Sequence, residues 1–262
     1  MQTVDKAMRL LGCFSAALPE LGLSEIARSA RFDKAGTRRL LVALAKHGFI
    51  EQDLRTRRYR LGAAILGFAR IREATRPLAS VVQSRLDALV AQTGETAHAS
   101  LVSGDQMATL CIAEPRRPTR VSVDPAVGLP LHATASGLAC LAFAPQARLR
   151  EYATHARMRR YTARTCVSAR RLRAMLVEIR KRGYSLADRS FDDEVISVAA
   201  PVFDAERRAF AAISVASIAS RFDRGAERRI AGAVLRAAAE ITETSGGALH
   251  PALAAALAGR GA

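Results

Sequence analysis

The stretch Asp33–Gly62, DKAGTRRLLVALAKHGFIEQDLRTRRYRLG, sets the reading of this chain. From Lys34 to Lys46, Leu40, Leu41, Leu44 and Ala45 recur at helical spacing and form an apolar face. Asp33 precedes the first turn as an N-cap, and Gly48 follows the last as a C-terminal stop. FIEQD then alternates like a strand, LRTRR reads as a turn, and YRLG returns as a second strand. Upstream, LSEIARSA predicts a helix of about two turns, with Ser24 as N-cap and Glu25 in its first turn. Further upstream, Val4, Met8, Leu10, Leu11 and Phe14 lie at helical spacing until Pro19 and Gly22 break the pattern. Helix, short helix, turn, helix and hairpin, in about 60 residues, is the winged helix-turn-helix arrangement.

That arrangement gives the arginines roles. Lys34, Thr37 and Arg38 fall in the first turns of the third helix, on the side away from Leu40, Leu41 and Leu44, where a recognition helix presents side chains to a major groove. Arg forks onto guanine, and Thr meets a phosphate or a thymine methyl. Arg39 lies nearer the apolar face, where a phosphate contact and a structural ion pair are equally compatible with its position. Gly36 costs roughly 1 kcal/mol relative to Ala inside a helix, and either admits close approach to DNA or is merely tolerated. Around the hairpin tip, Arg55 and Arg57 reach toward a phosphate backbone or minor groove. Arg58 joins them as a candidate. Alternation puts it on one face with Arg60, and Tyr59 on the other, toward the core. The competing reading is an edge strand guarded by charge.

The net charge is +16 over 262 residues, which favours polyanionic partners. Its bulk is uninformative, because 36 of the 40 basic residues are Arg in a chain also rich in Ala. Its distribution is more telling: residues 1–75 carry +7 and the other 187 carry +9. A second concentration between Arg148 and Arg182 includes Arg157, Arg164 and Arg171, has few aromatic companions, and reads as solvated helix faces. Half the residues are apolar, so a packed protein is expected. No apolar run is long enough to suggest a membrane span, and the N-terminus does not read as a signal peptide, so a cytoplasmic location is expected. Cys13, Cys111, Cys140 and Cys166 make no CxxC pair and the histidines no HxxxH pair, so neither metal nor cofactor is expected.

Beyond the hairpin, residues 63–76 predict a linker helix interrupted at Pro77, followed by a long amphipathic helix ending at Gly94. From Glu95 the period changes. TAHASLV and MATLCIAEP predict strands joined at Ser103-Gly104-Asp105, and RVSVDP predicts another. LPLHATASGLACLAFA is a loop entering an apolar helix, and residues 145–156 and 167–182 are arginine-rich helices. EVISVAAPVFD and RAFAAISVAS form a hairpin, and a last helix runs from Asp223 to Ile241. Residues 77–246 thus read as one α+β domain, and 247–262 as a low-complexity, frayed tail.

Within that domain, the backbone N–H groups from Ala135 to Gly137 open a helix and suit a carboxylate or phosphate. Ser197, Ser214 and Ser217 stand among apolar strand residues and need partners, either backbone carbonyls or a ligand. The acidic string Asp188, Asp192, Asp193 and Glu194 offers general acid–base groups, but GxSxG, HExxH, P-loop and Rossmann patterns are missing. An enzyme built on Asp188–Glu194 and a basic adaptor protein are the alternatives to a DNA-binding regulator.

The segments TVDKAMRLL, LSEIARSARFDKAGTRRLLVALAKHGFIEQD, YRLG, LVAQTGETAHASLVSGDQ, LPLHATASGLACLAF, IRKRGYSLAD and AAPVFD with AAISV resemble, in order over residues 3–246, the IclR family of bacterial transcription regulators. The resemblance implies a winged helix-turn-helix (1–62), a linker helix (63–76) and a GAF-like α+β effector domain (77–246). It also implies a homodimer or tetramer on a palindromic double-stranded DNA operator, controlled by a small organic acid. Where the family has Pro-Lys-Ser-Thr-Val at the start of its recognition helix, this chain has Asp33-Lys34-Ala35-Gly36-Thr37. Positions matching the family's acid pocket are Ala135 and Ser136, then Ala187 in place of the family's acid with Asp188 next to it, and Ser197 and Ser214 on the last two strands; Gly137 and Ser217 stand beside them as further candidates.

Overall fold

A computed structural model of the chain describes residues 3–15, 18–75, 78–155 and 158–259. The chain divides into two compact units, Met1–Pro77 with Asp124–Val127, and Leu78–Val123 with Gly128–Ala262. The positions of Pro77 and Arg157 lie outside the described residues.

The first unit holds α1 (Thr3–Leu11), α2 (Leu23–Ala30), α3 (Lys34–Lys46), β1 (Ile50–Gln52), β2 (Tyr59–Leu61) and α4 (Ala64–Thr75), a helix within the span where a linker helix is expected. Leu10, Phe14, Leu21, Ile26, Ala30, Leu41, Ile50 and Tyr59 are its buried core. Val4 and Met8 do not join that core; they are exposed on α1, because Leu10 and Phe14 define the inward side. Ser24 does not cap α2 either. The helix starts a residue before it, Gly22 is the N-cap, and the Glu25 carboxylate accepts the Gly22 N–H at 2.6 Å. Strands β1 and β2 are antiparallel, with Glu51 opposite Arg60. Leu21 and Tyr59 exchange backbone hydrogen bonds of 2.9 and 2.8 Å, so the segment before α2 is tied to the hairpin. A Cβ at Gly62 would lie 2.1 Å from the Gly48 carbonyl oxygen, so the hairpin closes on α3 only with glycine there.

The second unit contains α5 (Leu78–Thr93), β3 (Thr96–Ser103), β4 (Gln106–Ala113), β5 (Leu129–Pro130), α6 (Ala135–Ala142), α7 (Gln146–His155), α8 (Ala169–Arg182), β6 (Ser185–Asp188), β7 (Val195–Phe203), β8 (Ala209–Ile218), α9 (Arg224–Thr244) and α10 (Pro251–Ala258). One antiparallel sheet has the order β5-β4-β3-β8-β7-β6, and α5 and α9 pack together against it. The expected strand RVSVDP is not formed. Pro118 and Pro125 bracket it, and the edge of β4 pairs with β5 instead. The expected frayed tail is folded: α10 is capped by His250, starts with Pro251, and buries Leu253 completely. It lies so close to the end of α8 that a Cβ at Gly183, φ 78°, would stand 2.7 Å from the Ala256 Cβ.

Candidate DNA interface and ligand site

Helix α3 begins under Asp33, whose carboxylate accepts the Gly36 N–H at 2.6 Å. That bond holds the Asp33 carboxyl below its ordinary range, with the nearby Arg39 charge acting the same way. Gly36 thereby has a local role: a Cβ there would meet the Asp33 carboxylate at 2.8 Å. Lys34, Arg38 and Arg39 are exposed. Thr37 is not. It is fully buried, and its hydroxyl donates to the Asp33 carbonyl at 2.8 Å, so it is a core residue and has no surface to offer a groove. Its position one turn before Leu41 explains this, since i and i+4 share a helix face.

The hairpin tip is closed by its own hydrogen bonds. Asp53 Oδ1 accepts from the Arg55 and Thr56 N–H groups at 2.8 and 2.6 Å, and the Arg57 N–H donates to the Asp53 carbonyl at 2.8 Å. Arg57 sits in the left-handed region, φ 59°, and the Gln52 amide donates to its carbonyl at 3.0 Å. Arg55 and Arg57 project from this fixed tip into solvent. Arg58 turns back instead. Its Nη2 donates to the Glu25 carboxylate and the Glu20 carbonyl, both at 2.9 Å, which makes it a brace between hairpin and α2 rather than a free cation. Arg60 pairs across the hairpin with Glu51 at 3.2 Å. A cleft of about 520 Å³ separates the start of α2 from the hairpin, and both Arg38 and Arg57 line it.

In the second unit, α6 enters under Thr134, whose hydroxyl accepts the Gly137 N–H at 3.2 Å and donates to the Pro130 carbonyl at 2.9 Å. A Cβ at Gly137 would fall 2.3 Å from the Leu131 Cα, so the helix and the turn before it touch backbone to backbone. All of α6 is buried, including Ala135, Ser136 and Gly137. Ser185 donates to the Ala135 carbonyl at 2.6 Å, and Ser136 Oγ is 3.4 Å from His98 Nε2. The sheet face under α6 therefore carries Ser185 and His98. Strand register adds Ala187, Ser197, Ala199, Ser214 and Ala216 to the same face. Ser214 Oγ donates to the Val198 carbonyl at 3.3 Å, and Ser197 is half-buried.

Two expected site residues fall elsewhere, both by strand parity. Asp188 follows Ala187, so it points away from this face and pairs with Arg164 and with Arg189, the latter at 3.0 Å. Ser217 is opposite Ile196 and an odd number of residues from Ser214, so it belongs to the other face. The remaining acids are apart from any site: Asp192, Asp193 and Glu194 are exposed, and no group of three His, Cys, Asp or Glu suited to a metal occurs among the described residues.

His98, not among the expected residues, also lies on this face, and the alternation in TAHAS places it inward between Thr96 and Ser100. Burial drives its pKa down to about 4, so it is neutral at ordinary pH. His132 is a structural residue: its Nε2–H donates to the Arg159 carbonyl and its Nδ1 accepts from the Tyr152 hydroxyl, each at 2.9 Å. Several arginines expected on solvated faces are connectors too. Arg148 pairs with Asp105 at 2.6 Å, and Arg180 donates to the Ala142 carbonyl at 2.7 Å.

A winged helix-turn-helix joined to an α+β unit with a polar, enclosed sheet face defines a DNA-binding transcription regulator. Residues 3–54 match the IclR helix-turn-helix domain, and residues 74–243 match the bacterial transcriptional regulator IclR C-terminal domain. The chain belongs to the IclR family. It is 30% identical over 249 residues to the HTH-type transcriptional regulator BhcR of Paracoccus denitrificans, covering 92% of this chain and 86% of that protein. An IclR-type regulator from Silicibacter sp. TM1040 has a crystal structure with TM-score 0.83 and 36% identity, covering 96% of this chain and 99% of the other. An IclR homologue from Microbacterium hydrocarbonoxydans, solved in complex with 4-hydroxybenzoate, has TM-score 0.76 and 20% identity, covering 93% of this chain and 98% of the other. The family consists of transcription regulators, so the enzyme and adaptor alternatives are set aside. No helix among the described residues is long and apolar enough to cross a membrane.

Proposed function

We propose that this chain is a sequence-specific regulator that reads a palindromic operator as a homodimer or tetramer in the cytoplasm, under the control of a small carboxylate. Helix α3 enters the major groove with Lys34, Arg38 and Arg39, while Arg55 and Arg57 on the wing tip hold phosphates. The observation that carries this reading is that Arg38 and Arg57 line the same cleft, beside the start of α2. Cations from the helix and from the wing then bear on one stretch of backbone. Pairing is supported by the apolar side chains left exposed in the first unit, Val4 and Met8 on α1 and Leu66, Phe68 and Ile71 on α4.

The carboxylate sits against the first turn of α6. The N–H groups of Ala135 and Ser136 have no partner within the helix there, and Ser197 and Ser214 stand on the sheet beneath. The Microbacterium homologue, which holds 4-hydroxybenzoate, supports an acid as the class of ligand. Closure of the α6 face on the acid changes the spacing of the paired DNA-binding units.

The test is operator binding against salt, using DNA selected from a random pool. Arg38→Ala and Arg57→Ala should each lower affinity, and each lost phosphate contact should reduce the log–log salt slope by about 0.9. Unchanged affinity and slope in both variants would refute the interface.

A further inference from the structure

The turn between β7 and β8, the end of α8 and the start of α10 meet around a cleft of about 470 Å³. Arg180, Arg207 and Arg208 line it together with Glu206 and His250. Three guanidiniums thus face one carboxylate, a surplus of two positive charges with the histidine neutral. None of the three pairs with a carboxylate among the described residues, whereas Arg148, Arg164 and Arg221 of the same unit do. Asp204 is committed to backbone: its Oδ1 accepts the Glu206 and Arg208 N–H groups at 3.0 and 2.8 Å. The donors of the cleft are held in direction. Arg180 Nε donates to the Ala142 carbonyl at 2.7 Å, and its guanidinium lies 5.7 Å from the centre of the Phe143 ring. Arg207 sits in the left-handed region, φ 59°, and its N–H donates to the Asp204 carbonyl at 3.1 Å. The His250 ring is fixed edge-on to Phe143 at 5.0 Å and stacked on Phe203 at 5.8 Å. Its Nδ1 accepts the Ala252 N–H at 3.2 Å, so the proton of the neutral ring is on Nε2, a donor. Burial first, then the charges of Arg180 and Arg207, hold the His250 pKa below its ordinary value, so a positive field converges on this ring.

We propose that the cleft between Arg180, Arg207, Arg208 and His250 binds a phosphate group, as the free anion or as the monoester of a small metabolite, at a site separate from the acid face under α6. A phosphate dianion matches the surplus of two charges, and its tetrahedral oxygens accept from several guanidiniums at once. A monocarboxylate leaves one charge unmatched. The site draws on three elements, and one of them is the first turn of α10. The bound phosphate therefore clamps α10 to the β7–β8 turn and to α8.

The experiment titrates inorganic phosphate and glycerol 3-phosphate into the full chain at fixed ionic strength, with chloride and acetate as comparison anions. The readout is the His250 imidazole resonance, assigned by its loss in His250→Asn, which reports on this cleft and not on the DNA-contacting arginines. Phosphate should move the signal saturably and shift the His250 titration upward, because the anion offsets the two guanidiniums; chloride and acetate should do neither. Arg207→Gln combined with Arg208→Gln, both at exposed positions, should weaken phosphate binding about tenfold or more, the scale of one charged hydrogen bond. Glu206→Gln should tighten it, a direction that a folding defect does not produce. Tighter binding of glycerol 3-phosphate than of phosphate supports a phosphorylated metabolite as the occupant, and the reverse order supports the free anion. An equal response to chloride, or undiminished phosphate binding in the double variant, overturns the proposal. A His250 signal moved by short duplex DNA and by neither phosphate compound would assign the cleft to nucleic acid and also overturn it.

Discussion

Arg58 and Glu25, 33 residues apart in sequence, meet at 2.9 Å and join the hairpin to α2. The same guanidinium also holds the Glu20 carbonyl, so two protein partners fix its direction. Both side chains of the ion pair are partly exposed, and such a pair contributes about 0.2–1 kcal/mol. Arg58→Ala is therefore expected to destabilise the first unit only modestly. It should weaken operator binding by loosening the wing, with the salt slope kept. Arg57→Ala should reduce the slope by about 0.9, since its side chain faces solvent. Titrations at four or five salt concentrations distinguish the two; equal loss of slope would mean that Arg58 leaves Glu25 for a phosphate.

Thr37 tests the burial of the recognition helix. Its hydroxyl donates within the helix to the Asp33 carbonyl, and no part of it is exposed. Thr37→Val keeps the shape and should change stability by about 1 kcal/mol, with operator affinity per folded molecule unaltered. Urea melts followed by DNA titration measure both. A selective loss of affinity in a stably folded Thr37→Val protein would return Thr37 to the interface.

Acid stability reports on His98. Its folded-state pKa, about 4, lies below the usual 6.5 because burial penalises the charged form. The folded state thus binds fewer protons than the unfolded chain as pH falls through this window. Stability is fully present above pH 6.5 and is lost progressively toward pH 4, by about 3 kcal/mol for the 2.5-unit difference. His132 and His250 are shifted in the same direction, also led by burial, and add to the slope. His98→Asn should flatten the dependence of the urea midpoint between pH 6.5 and 4. An unchanged profile would mean that His98 titrates normally.

Leu253 measures what α10 contributes. It is fully buried and packs within the main core cluster. Leu253→Ala should cost about 2–4 kcal/mol, visible as an earlier thermal transition. A change below about 0.5 kcal/mol would mean that α10 is detached in solution.

Periodicity along the sequence revealed much of this fold, because helix faces and strand faces repeat on fixed intervals. The order of the first unit followed from Leu40, Leu41, Leu44 and the alternation around Tyr59. The errors at Thr37, Asp188 and Ser217 came from weighing side-chain chemistry above that same periodicity. Each lies on the face its spacing assigns. Arg58 was different. Its partners Glu20 and Glu25 are brought near only when the hairpin folds back on α2, and no local pattern encodes that meeting. The tail was hidden for a related reason: its alanines carry no clear helical stripe, and Leu253 becomes a core residue only against α8 and α9.

The buried hydroxyl of Thr37 also sets which positions can be rewritten. Thr37 and Leu41 anchor α3 to its neighbours, so the helix cannot be turned about its axis to present a new set of side chains. Lys34, Ala35, Arg38, Arg39 and Val42 are its exposed positions between Lys34 and Val42. A library for retargeting this protein to another operator should therefore randomise those five and leave the anchors alone. The five form a short alphabet of sites through which a lineage sharing this scaffold can move from one DNA sequence to another without refolding its core.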